Sequence, residues 1–573
     1  MIETNEILLR DGKSWLHFIN PHRVIVANHL QDVLPALRDI EDLVKDNAWH
    51  AAGFLSYESA SAFDAAHRTH ASADFPLVWF GLYPKPRLIA LPEPSKPKAV
   101  LSWVPTVDRT TYDAAIHSIR DHITQGRTYQ VNYTMRLHSR FDLDPLDFFL
   151  NLAQTQNNHA AYVDTGRFVI CSASPELFFE LDDRAITCRP MKGTTRRGRT
   201  TREDAEQAKW LKESEKNRAE NVMIADMIRN DLGRIAKTGS VQTAELFTIE
   251  KYPTLWQMTS TITAKTDAPL TGILRALFPC ASITGAPKVS TMRIISEVET
   301  TPRKIYTGSI GYIAPNRKAK FNVAIRTALI DRESQVAEYG VGGGIVWDST
   351  STDEYEEALL KARVLTESHP QFSLLETMLW TPGDGFYLLE KHIVRLLDSA
   401  AYFGISIASR EAIETYLKKL SLEFASLQRV RLLLDRYGNL SHEANPHVFG
   451  NSLSVHLARK PIDSSNVFLF HKTTHREVYD SARIDFPDYD DVLLYNERGE
   501  LTEFTIGNLV AEIDGKLYTP PVSSGLLAGT FREYLLETNQ VKEKTILVND
   551  LTRFTRVFLV NSVRKMTEVH LIQ

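Results

Sequence analysis

Cysteine is scarce in this chain, and its placement excludes two kinds of stabilisation. Cys171, Cys188 and Cys280 are the only cysteines in 573 residues, and their spacing does not match a metal site. An odd and sparse count argues against a disulfide framework and favours a reducing compartment. We therefore expect a fold that is held together by ordinary hydrophobic cores.

Long apolar runs and a strong net charge are missing as well. The first residues, Met-Ile-Glu-Thr-Asn-Glu, lack the basic and then apolar pattern of a secretion signal. No apolar run reaches the ~18 residues that cross a bilayer. A net charge of −5 does not favour nucleic acid or an anionic membrane as a partner. We predict a soluble, cytoplasmic protein.

The composition is that of a globular protein, with 43% hydrophobic and 24% charged residues. A chain of 573 residues is too long for one core, so we expect two large domains. The polar stretch 367–371 is the best candidate for a boundary, which predicts domains at 1–366 and 372–573. The main predicted elements are helices at 111–126, 203–234, 352–366 and 390–403 and strands at 128–134, 167–171, 177–181, within 306–347 and within 372–388.

Lys192 is the most informative residue of the first half. It lies in Pro190-Met191-Lys192-Gly193-Thr194, where the glycine lets the backbone approach a ligand. Three arginines and one lysine within nine residues suit an anionic ligand. If the lysine is buried, its pKa falls and its free amine becomes a nucleophile. The alternative is a basic surface loop, which the pattern alone would favour.

Four acidic residues accompany this lysine. Glu354 and Glu357 are three apart and share one helix face, Glu220 lies on a second helix, and Glu176 precedes a strand. Carboxylates from two helices can hold a Mg²⁺ ion that also binds an anionic substrate. Two alternatives stay open: Ser351 and Glu354 fit a capping box, and Glu220 and Glu357 could belong to solvated helix faces.

Seven motifs in order make the first ~365 residues resemble the chorismate-utilising enzymes, specifically aminodeoxychorismate synthase component I. The resemblance implies an α+β fold, a large sandwich of two sheets with the active site between them. The motifs begin at Gly126-Arg127-Thr128, Ser172-Ala173-Ser174-Pro175-Glu176, Pro190-Met191-Lys192, Arg218-Ala219-Glu220 with Arg229-Asn230-Asp231, Ser282-Ile283-Thr284-Gly285, Gly342-Gly343-Gly344 and Glu354-Tyr355-Glu356-Glu357.

The same resemblance implies a role for each matching residue. Lys192 is the nucleophile that adds to the chorismate ring, and Glu176 is the general acid that assists departure of the 4-hydroxyl. Anthranilate synthases usually carry alanine at the position of Lys192, so this lysine favours amination at C4 over C2. The Mg²⁺ ligands are Glu220, Glu354 and Glu357. The substrate-binding residues are Gln130, Thr284, Tyr306, Arg326, Gly342, Gly343 and Gly344.

The amination needs ammonia, and the sequence has no Gly-x-Cys-x-Gly glutaminase elbow that could release it from glutamine. A separate glutaminase subunit is therefore a predicted partner. Two departures from the family pattern are a methionine at 191 in place of isoleucine and a poor match over residues 1–50, which puts a regulatory amino-acid pocket there in doubt.

The C-terminal part has a lysine of its own, Lys472, at the end of a predicted strand. A pyridoxal phosphate enzyme needs such a lysine, an acid for the pyridine nitrogen and donors for the phosphate. Glu503, Arg395 and the Gly529-Thr530 pair could supply the rest. Each signal is weak alone: the lysine could lie on the surface, the arginine could be a helix-face ion-pair partner, and the glycine could be a loop residue.

Together and in this order, these residues resemble the fold-type IV pyridoxal-phosphate enzymes over residues 372–573. That family includes aminodeoxychorismate lyase, D-amino-acid aminotransferases and branched-chain aminotransferases, and its members are commonly homodimers. The resemblance implies that Lys472 binds the cofactor aldehyde and shuttles protons and that Glu503 pairs with the pyridinium nitrogen. The phosphate ligands are Arg395, Thr530 and the backbone at Ile506 and Gly507. Lys565 stands where the family usually has glycine.

The fusion of the two halves suggests consecutive reactions. Chorismate and ammonia would give 4-amino-4-deoxychorismate, from which the second half would eliminate pyruvate to leave 4-aminobenzoate, a folate precursor. Two alternatives remain for the second half: an aminotransferase, or a dimerisation module that has lost its cofactor.

Overall fold

A computed structural model describes residues 3–12, 14–72, 74–95, 101–154, 159–362, 365, 370–407, 409–448 and 452–572. The chain divides into two compact units, Met1–Arg196 with Ala208–His369, and Arg197–Gln207 with Pro370–Gln573. Most of the predicted boundary segment 367–371 lies outside the described residues, so the limits 1–366 and 372–573 stay a prediction. Within the described ranges, no helix is long and apolar enough to cross a membrane. A cytoplasmic location stays a prediction from the sequence.

Two antiparallel sheets of ten strands each form the centre of the first unit. The strands are β1 (Ile7–Asp11), β2 (Ser14–Phe18), β3 (Arg23–Ala27), β4 (His50–Leu55), β5 (Val78–Tyr83), β6 (Arg87–Ile89), β7 (Val104–Pro105), β8 (Gln130–Arg140), β9 (Ala161–Asp164), β10 (Phe168–Ser172), β11 (Leu177–Asp182), β12 (Ala185–Arg189), β13 (Met191–Arg196), β14 (Gln242–Lys251), β15 (Leu255–Lys265), β16 (Gly285–Ala286), β17 (Ser309–Ala314), β18 (Lys318–Val323), β19 (Thr327–Asp331) and β20 (Val336–Ile345).

One sheet has the order β16-β8-β20-β19-β10-β9-β1-β2-β6, with β7 beside β8. The other has the order β13-β15-β12-β11-β18-β17-β4-β5-β3, with β14 beside β15. The helices of this part of the chain are α1 (Leu30–Asn47), α2 (Ala60–Phe63), α3 (Arg109–Thr124), α4 (Pro145–Ala153), α5 (Thr201–Glu213), α6 (Glu215–Gly233), α7 (Leu270–Leu277), α8 (Lys288–Val298) and α9 (Ser351–Ala362). The first half of α5 belongs to the second unit.

Side-chain alternation along the strands builds three cores in the first unit. In β1, Ile7 and Leu9 belong to the core between the two sheets, whereas Leu8 belongs to the core under α3 and α4. The opposite directions follow from the two-residue period of a strand. A third core lies between the other sheet and helices α1, α6 and α7. The prediction of a two-sheet α+β sandwich is confirmed.

The predicted helical stretch 203–234 is divided in two. Helix α6 begins after Ser214, whose hydroxyl accepts a hydrogen bond from the backbone N–H of Asn217. Serine in this geometry satisfies a free N–H at the start of a helix, which lets a second helix begin at a new angle. Helix α9 begins and ends close to its prediction, and residues 363, 364 and 366 lie outside the described residues.

The second unit contains a four-stranded sheet, β22-β21-β23-β24, and an eight-stranded sheet, β27-β26-β25-β32-β31-β28-β29-β30. An additional pairing of β27 with β28 closes six of these strands into a barrel. The strands are β21 (Leu374–Thr381), β22 (Gly385–Phe386), β23 (Gln428–Leu434), β24 (Leu440–Pro446), β25 (Leu453–Leu457), β26 (Asp491–Tyr495), β27 (Leu501–Phe504), β28 (Asn508–Ile513), β29 (Lys516–Thr519), β30 (Lys542–Glu543), β31 (Phe554–Asn561) and β32 (Lys565–Ile572). The helices are α10 (Leu389–Phe403), α11 (Arg410–Ser421), α12 (Glu477–Ile484) and α13 (Thr530–Glu537).

The segment Arg197–Gln207 packs within this second unit, although it is distant in sequence. The Arg197 guanidinium lies 4.4 Å from the ring centroid of Tyr402, and the Tyr402 hydroxyl donates to the Gly198 carbonyl at 2.6 Å. A nitrogen of the His471 ring lies 3.2 Å from the Arg199 carbonyl oxygen. The second unit is therefore built from two separate stretches of the chain.

Candidate active sites

A cavity of about 410 Å³ in the first unit brings together most of the residues that the sequence singled out. Its lining includes Lys192, Glu176, Glu220, Glu354, Glu357, Tyr306, Arg326, Gly342, Gly343 and Gly344. Gln130 and Thr284 are buried and are not among the described residues that line it. Gln130 nevertheless lies next to the lining, because a Cβ on Gly344 would come within 2.0 Å of its Nε2 atom.

Lys192 lies on β13 at an irregular stretch of the pairing with β15. The Gln257 amide donates to the Gly193 carbonyl at 2.9 Å, which holds the backbone on one side of the lysine. Gly193 has a φ of +91°, a left-handed conformation that glycine adopts without strain. Burial lowers the pKa of Lys192, although the carboxylate of Glu220 opposes this shift. Because Lys192 lies on a strand and lines the cavity, the surface-loop alternative is wrong.

Glu176 is positioned by a neighbour to which the sequence assigned no role. The Ser282 hydroxyl donates to Glu176 Oε1 at 2.6 Å, and the carboxyl is only 2% exposed. Burial raises the pKa of Glu176 to about 7, while the bond from Ser282 lowers it. A carboxyl group with this pKa is protonated in part of the molecules at neutral pH, as a general acid requires.

The three remaining carboxylates are not equivalent. Glu354 accepts a hydrogen bond from the Ser349 hydroxyl at 2.6 Å, and burial raises its pKa. Glu357 forms an ion pair with Lys361 at 2.8 Å, which lowers its pKa. Glu220 lies on α6 and faces the same cavity.

The capping-box alternative for Glu354 is wrong. The backbone N–H of Asp353 donates to the Thr350 hydroxyl at 3.2 Å, so Thr350 caps the helix. The Ser351 hydroxyl instead bonds to Asp113. Glu354 is therefore left to face the cavity.

No group of three or more His, Cys, Asp or Glu side chains within the described ranges is close enough to hold a metal ion by itself. Mg²⁺ usually takes one or two protein carboxylates and completes its shell with water and substrate oxygens. The donor set of Glu220, Glu354 and Glu357 suits that mode of binding.

The glycine run at the end of β20 keeps the floor of the cavity open. A Cβ on Gly342 would come within 2.1 Å of the Tyr133 carbonyl oxygen, and one on Gly343 within 2.9 Å of Glu354 Oε2. Opposite, the Nη1 atom of Arg326 is buried and has no hydrogen-bond partner among the described residues. An unsatisfied guanidinium nitrogen at a cavity suits an anionic oxygen from a ligand.

A second cavity, of about 580 Å³, lies in the second unit. All six residues predicted to bind the cofactor line it: Lys472, Glu503, Arg395, Ile506, Gly507 and Thr530. Burial lowers the pKa of Lys472 to about 8, and the neighbouring charge of Arg395 adds to the shift. A lysine with this pKa is partly deprotonated at neutral pH and can bind an aldehyde.

Glu503 is held by three donors. Its carboxylate accepts hydrogen bonds from the Tyr479 hydroxyl at 2.8 Å, the Asn508 amide at 3.1 Å and the Leu527 N–H at 3.1 Å. Burial raises its pKa to about 7 despite these bonds. A protonated ring nitrogen beside this carboxylate would place a positive charge next to it and stabilise its ionised form. The site therefore fits a pyridine-type cofactor. The sequence analysis assigned no role to Tyr479 or Asn508.

The predicted phosphate end is also ordered. Arg395 Nη1 donates to the Ala528 carbonyl at 3.1 Å, and the other side of the guanidinium bonds to Glu376. The ion-pair alternative for Arg395 is thus realised in part, although the residue still lines the cavity. Gly529 is more than a loop residue, because a Cβ there would lie 1.9 Å from Asn508 Oδ1.

Lys565, which stands where the family usually has glycine, follows a turn that is fixed by side-chain hydrogen bonds. Lys565 has a φ of +57°, in the left-handed region that favours glycine. Asn561 Oδ1 accepts hydrogen bonds from the backbone N–H groups of Val563 and Arg564, which fixes the turn. A non-glycine residue therefore occupies a glycine conformation directly after Arg564, which lines the cavity.

Comparison with known proteins finds a different family for each part of the chain. Residues 88–367 match the family of chorismate binding enzymes, and residues 373–572 match the family of class IV amino-transferases. The chain therefore joins a member of the chorismate binding enzyme family to a member of the class IV aminotransferase family. Within the first family, its relatives include proteins named aminodeoxychorismate synthase.

Two such relatives come from a bacterium and a plant. The chain is 39% identical over 269 residues to aminodeoxychorismate synthase component 1 of Escherichia coli, a match that covers 46% of this chain and 59% of that protein. It is 37% identical over 289 residues to the chloroplastic aminodeoxychorismate synthase of Arabidopsis thaliana, covering 49% of this chain and 31% of that protein. The chain thus spans less than two thirds of each.

A solved structure supports the fold of the first unit. Anthranilate synthase component I from Streptococcus pneumoniae superposes with a TM-score of 0.55 at 24% identity, covering 64% of this chain and 94% of that one.

Proposed function

We propose that this protein makes 4-aminobenzoate from chorismate in two steps, one in each unit. In the first, the amino group of ammonia replaces the 4-hydroxyl of chorismate. In the second, pyruvate is eliminated and the ring becomes aromatic. The observation that carries the proposal is the pair of half-buried lysines, each of which lines a cavity together with a buried acid and has a lowered pKa.

The residues of the first cavity suit the amination. The Lys192 amine would add to the ring at C2 while the C4–O bond breaks and Glu176 donates the proton that turns the leaving hydroxyl into water. Ammonia would then form a bond to C4, and the C2–N bond to the lysine would break. Because the lysine blocks C2 in between, ammonia cannot add there.

The anionic parts of chorismate need cationic partners. The unpaired Nη1 of Arg326 and the open backbone at Gly342 to Gly344 would hold substrate carboxylates. Glu220, Glu354 and Glu357 would hold Mg²⁺, which supplies positive charge to a bound carboxylate. A separate glutaminase subunit would deliver the ammonia.

The residues of the second cavity suit a pyridoxal phosphate enzyme. When bound, this cofactor withdraws electrons from the substrate carbon that is attached to the amino group. Lys472 would hold the aldehyde and move protons, and Glu503 would face the ring nitrogen. Arg395, Thr530 and the backbone at Ile506 and Gly507 would hold the phosphate. By family resemblance, this unit would also form the homodimer.

One assay tests both steps. The purified protein, supplied with Mg²⁺, pyridoxal phosphate, chorismate and ammonium, should release 4-aminobenzoate and pyruvate in equal amounts. Lys472→Ala should accumulate 4-amino-4-deoxychorismate, and Lys192→Ala should form neither compound. A mixture of the two variants should restore 4-aminobenzoate. An active preparation that consumes chorismate without releasing 4-aminobenzoate would rule out the second step.

An aminotransferase is the second candidate for the C-terminal unit, because the family that matches it is named for that reaction. The test is transfer of the amino group of D-alanine or a branched-chain amino acid to a keto acid. Transfer that is fast relative to the release of 4-aminobenzoate from 4-amino-4-deoxychorismate would favour this alternative.

A further inference from the structure

A buried carboxylate without an assigned role lies behind the predicted phosphate end of the second cavity. Glu376 interrupts an apolar strand, β21, and is 2% exposed. Its Oε1 accepts the Nε–H of Arg395 at 2.9 Å, and its Oε2 accepts an Nη2–H of the same guanidinium at 2.6 Å. This two-point contact fixes the plane of the guanidinium.

The same carboxylate reaches a second predicted phosphate ligand. Glu376 Oε2 lies 2.6 Å from Nδ1 of His392, and Nε2 of that ring lies 3.3 Å from the Thr530 hydroxyl. His392 is 1% exposed and Thr530 is 4% exposed, so neither side chain is free to reorient in solvent. One acidic group thus orients residues on α10 and at the start of α13.

The donors of Arg395 show what remains for a ligand. A guanidinium has five N–H groups. Two of them bond to Glu376, and one on Nη1 bonds to the Ala528 carbonyl. Within the described ranges, two N–H groups are left without a partner, one on each terminal nitrogen, and the side chain lines the cavity.

The charge state of the network is stable. Burial alone would raise the pKa of Glu376, but Arg395 and His392 lower it to about 2. The carboxylate therefore stays ionised at every pH at which the protein would work. The geometry does not depend on a proton being taken up or lost.

We propose that Glu376 is a positioning residue for the cofactor phosphate: it holds Arg395 directly and Thr530 through His392. The inference rests on the proposed pyridoxal phosphate function and adds a residue that contacts neither cofactor nor substrate. A glutamine at this position could accept only one of the two Arg395 bonds, because its NH₂ group would meet an N–H donor. The misdirected guanidinium should then bind phosphate less well.

The test compares two ligands that differ only in the phosphate. Apo full-length protein is titrated with pyridoxal phosphate and with pyridoxal, and binding to Lys472 is followed by absorbance. Glu376→Gln should weaken the binding of pyridoxal phosphate by about 10–100-fold, the range typical of removing a residue that orients a metal-binding side chain. The affinity for pyridoxal should stay within about twofold of the wild-type value. Glu568→Gln is the matched control, since Glu568 forms an exposed two-point pair with Arg556 at 3.2 and 2.8 Å.

The outcomes are separable. If Glu376→Gln does not fold, Glu376→Asp can replace it, because aspartate keeps the negative charge on a shorter side chain. It should also lose affinity for pyridoxal phosphate but not for pyridoxal, by a smaller factor. An equal loss for both ligands would indicate a structural role and overturn the inference. Unchanged or tighter binding of pyridoxal phosphate would overturn it too. Wild-type protein that does not bind pyridoxal phosphate would overturn the proposed cofactor and, with it, this inference.

Discussion

Lys192 and Lys472 are made reactive by the same physical cause, the loss of water around the ammonium group. In each case a carboxylate opposes the shift, Glu220 for Lys192 and Glu376 for Lys472. A second lysine or arginine then adds to it, Lys361 in the first cavity and Arg395 in the second. The net effect lowers the pKa of both amines, and for Lys472 it lowers the pKa to about 8.

Ser282 offers a direct test of the acid in the first cavity. Its hydroxyl donates to Glu176 and so stabilises the ionised form, which lowers the pKa. Ser282→Ala should raise that pKa by about one to two pH units, since a hydrogen bond to a charged group is worth roughly 1.5–3 kcal/mol.

The acid form of Glu176 exists below its pKa, so wild-type amination should fall as the pH rises through about 7. In Ser282→Ala this limb of the pH–rate profile should move to higher pH. Ser240→Ala, which removes a hydroxyl that donates to the Lys237 carbonyl, is the control and should leave the profile in place. A shift to lower pH would contradict the assignment of Glu176 as the acid.

Motifs placed Lys192, Glu176 and the carboxylates of the first cavity, because their spacing along the chain reflects local structure. They did not reveal Ser282 or Glu376 as partners, since each acts through a hydrogen bond across elements that are far apart in sequence. Glu376 left one signal, an acid within the apolar run Leu374-Leu375-Glu376-Thr377-Met378. A buried charge of that kind requires a partner, but the sequence does not show which one.

At the level of elements, helix starts decide which side chains face the cavities. Thr350 caps α9 and thereby frees Glu354, and Ser214 caps α6, the helix that carries Glu220. Hydrophobic periodicity predicted α3, α9 and α10 close to their observed limits. It could not separate α5 from α6, because the polar residue between them looks like any other on a solvated face.

The turn at Lys565 gives a prediction about backbone strain. Lys565→Gly should unfold at higher urea concentration than Lys565→Ala, with a difference of about 1 kcal/mol, because only glycine adopts the left-handed conformation without cost. Both variants lack the ammonium group that lies 5.0 Å from the Tyr387 ring, so the comparison isolates the backbone. Equal stability of the two variants would show that the turn relaxes when the lysine is removed.

For the whole molecule, the division into units does not follow the order of the sequence. The segment Arg197–Gln207 belongs with the second unit, where Arg197 forms a buried pair with Asp204 at 2.7 Å. Sequence patterns predict which residues are buried but not which core they join. The basic stretch around Lys192 is divided in this way, because Arg189 and Arg196 belong to the first unit and Arg197 belongs to the second.

Calorimetry of the full-length protein can check this assignment. Arg197→Ala removes the cationic partner of the buried Asp204, which still accepts the Gly198 N–H, and breaking a buried ion pair typically costs about 3–5 kcal/mol. We expect it to lower the unfolding transition that pyridoxal phosphate raises, since a ligand stabilises only the unit that binds it. Arg202→Ala, at a side chain that is 88% exposed, is the control. A drop confined to the other transition would contradict the assignment.

The contribution of Arg197–Gln207 to the second unit also has a consequence for synthesis on the ribosome. This segment emerges long before residues 370–573, and at about 5–20 residues per second the rest of the chain takes roughly 20–70 s to follow. During that interval Arg197 and the following residues have no Tyr402 or His471 to bind. The nascent chain must keep this segment accessible, because folding of the second unit cannot finish before residues 370–573 have been synthesised.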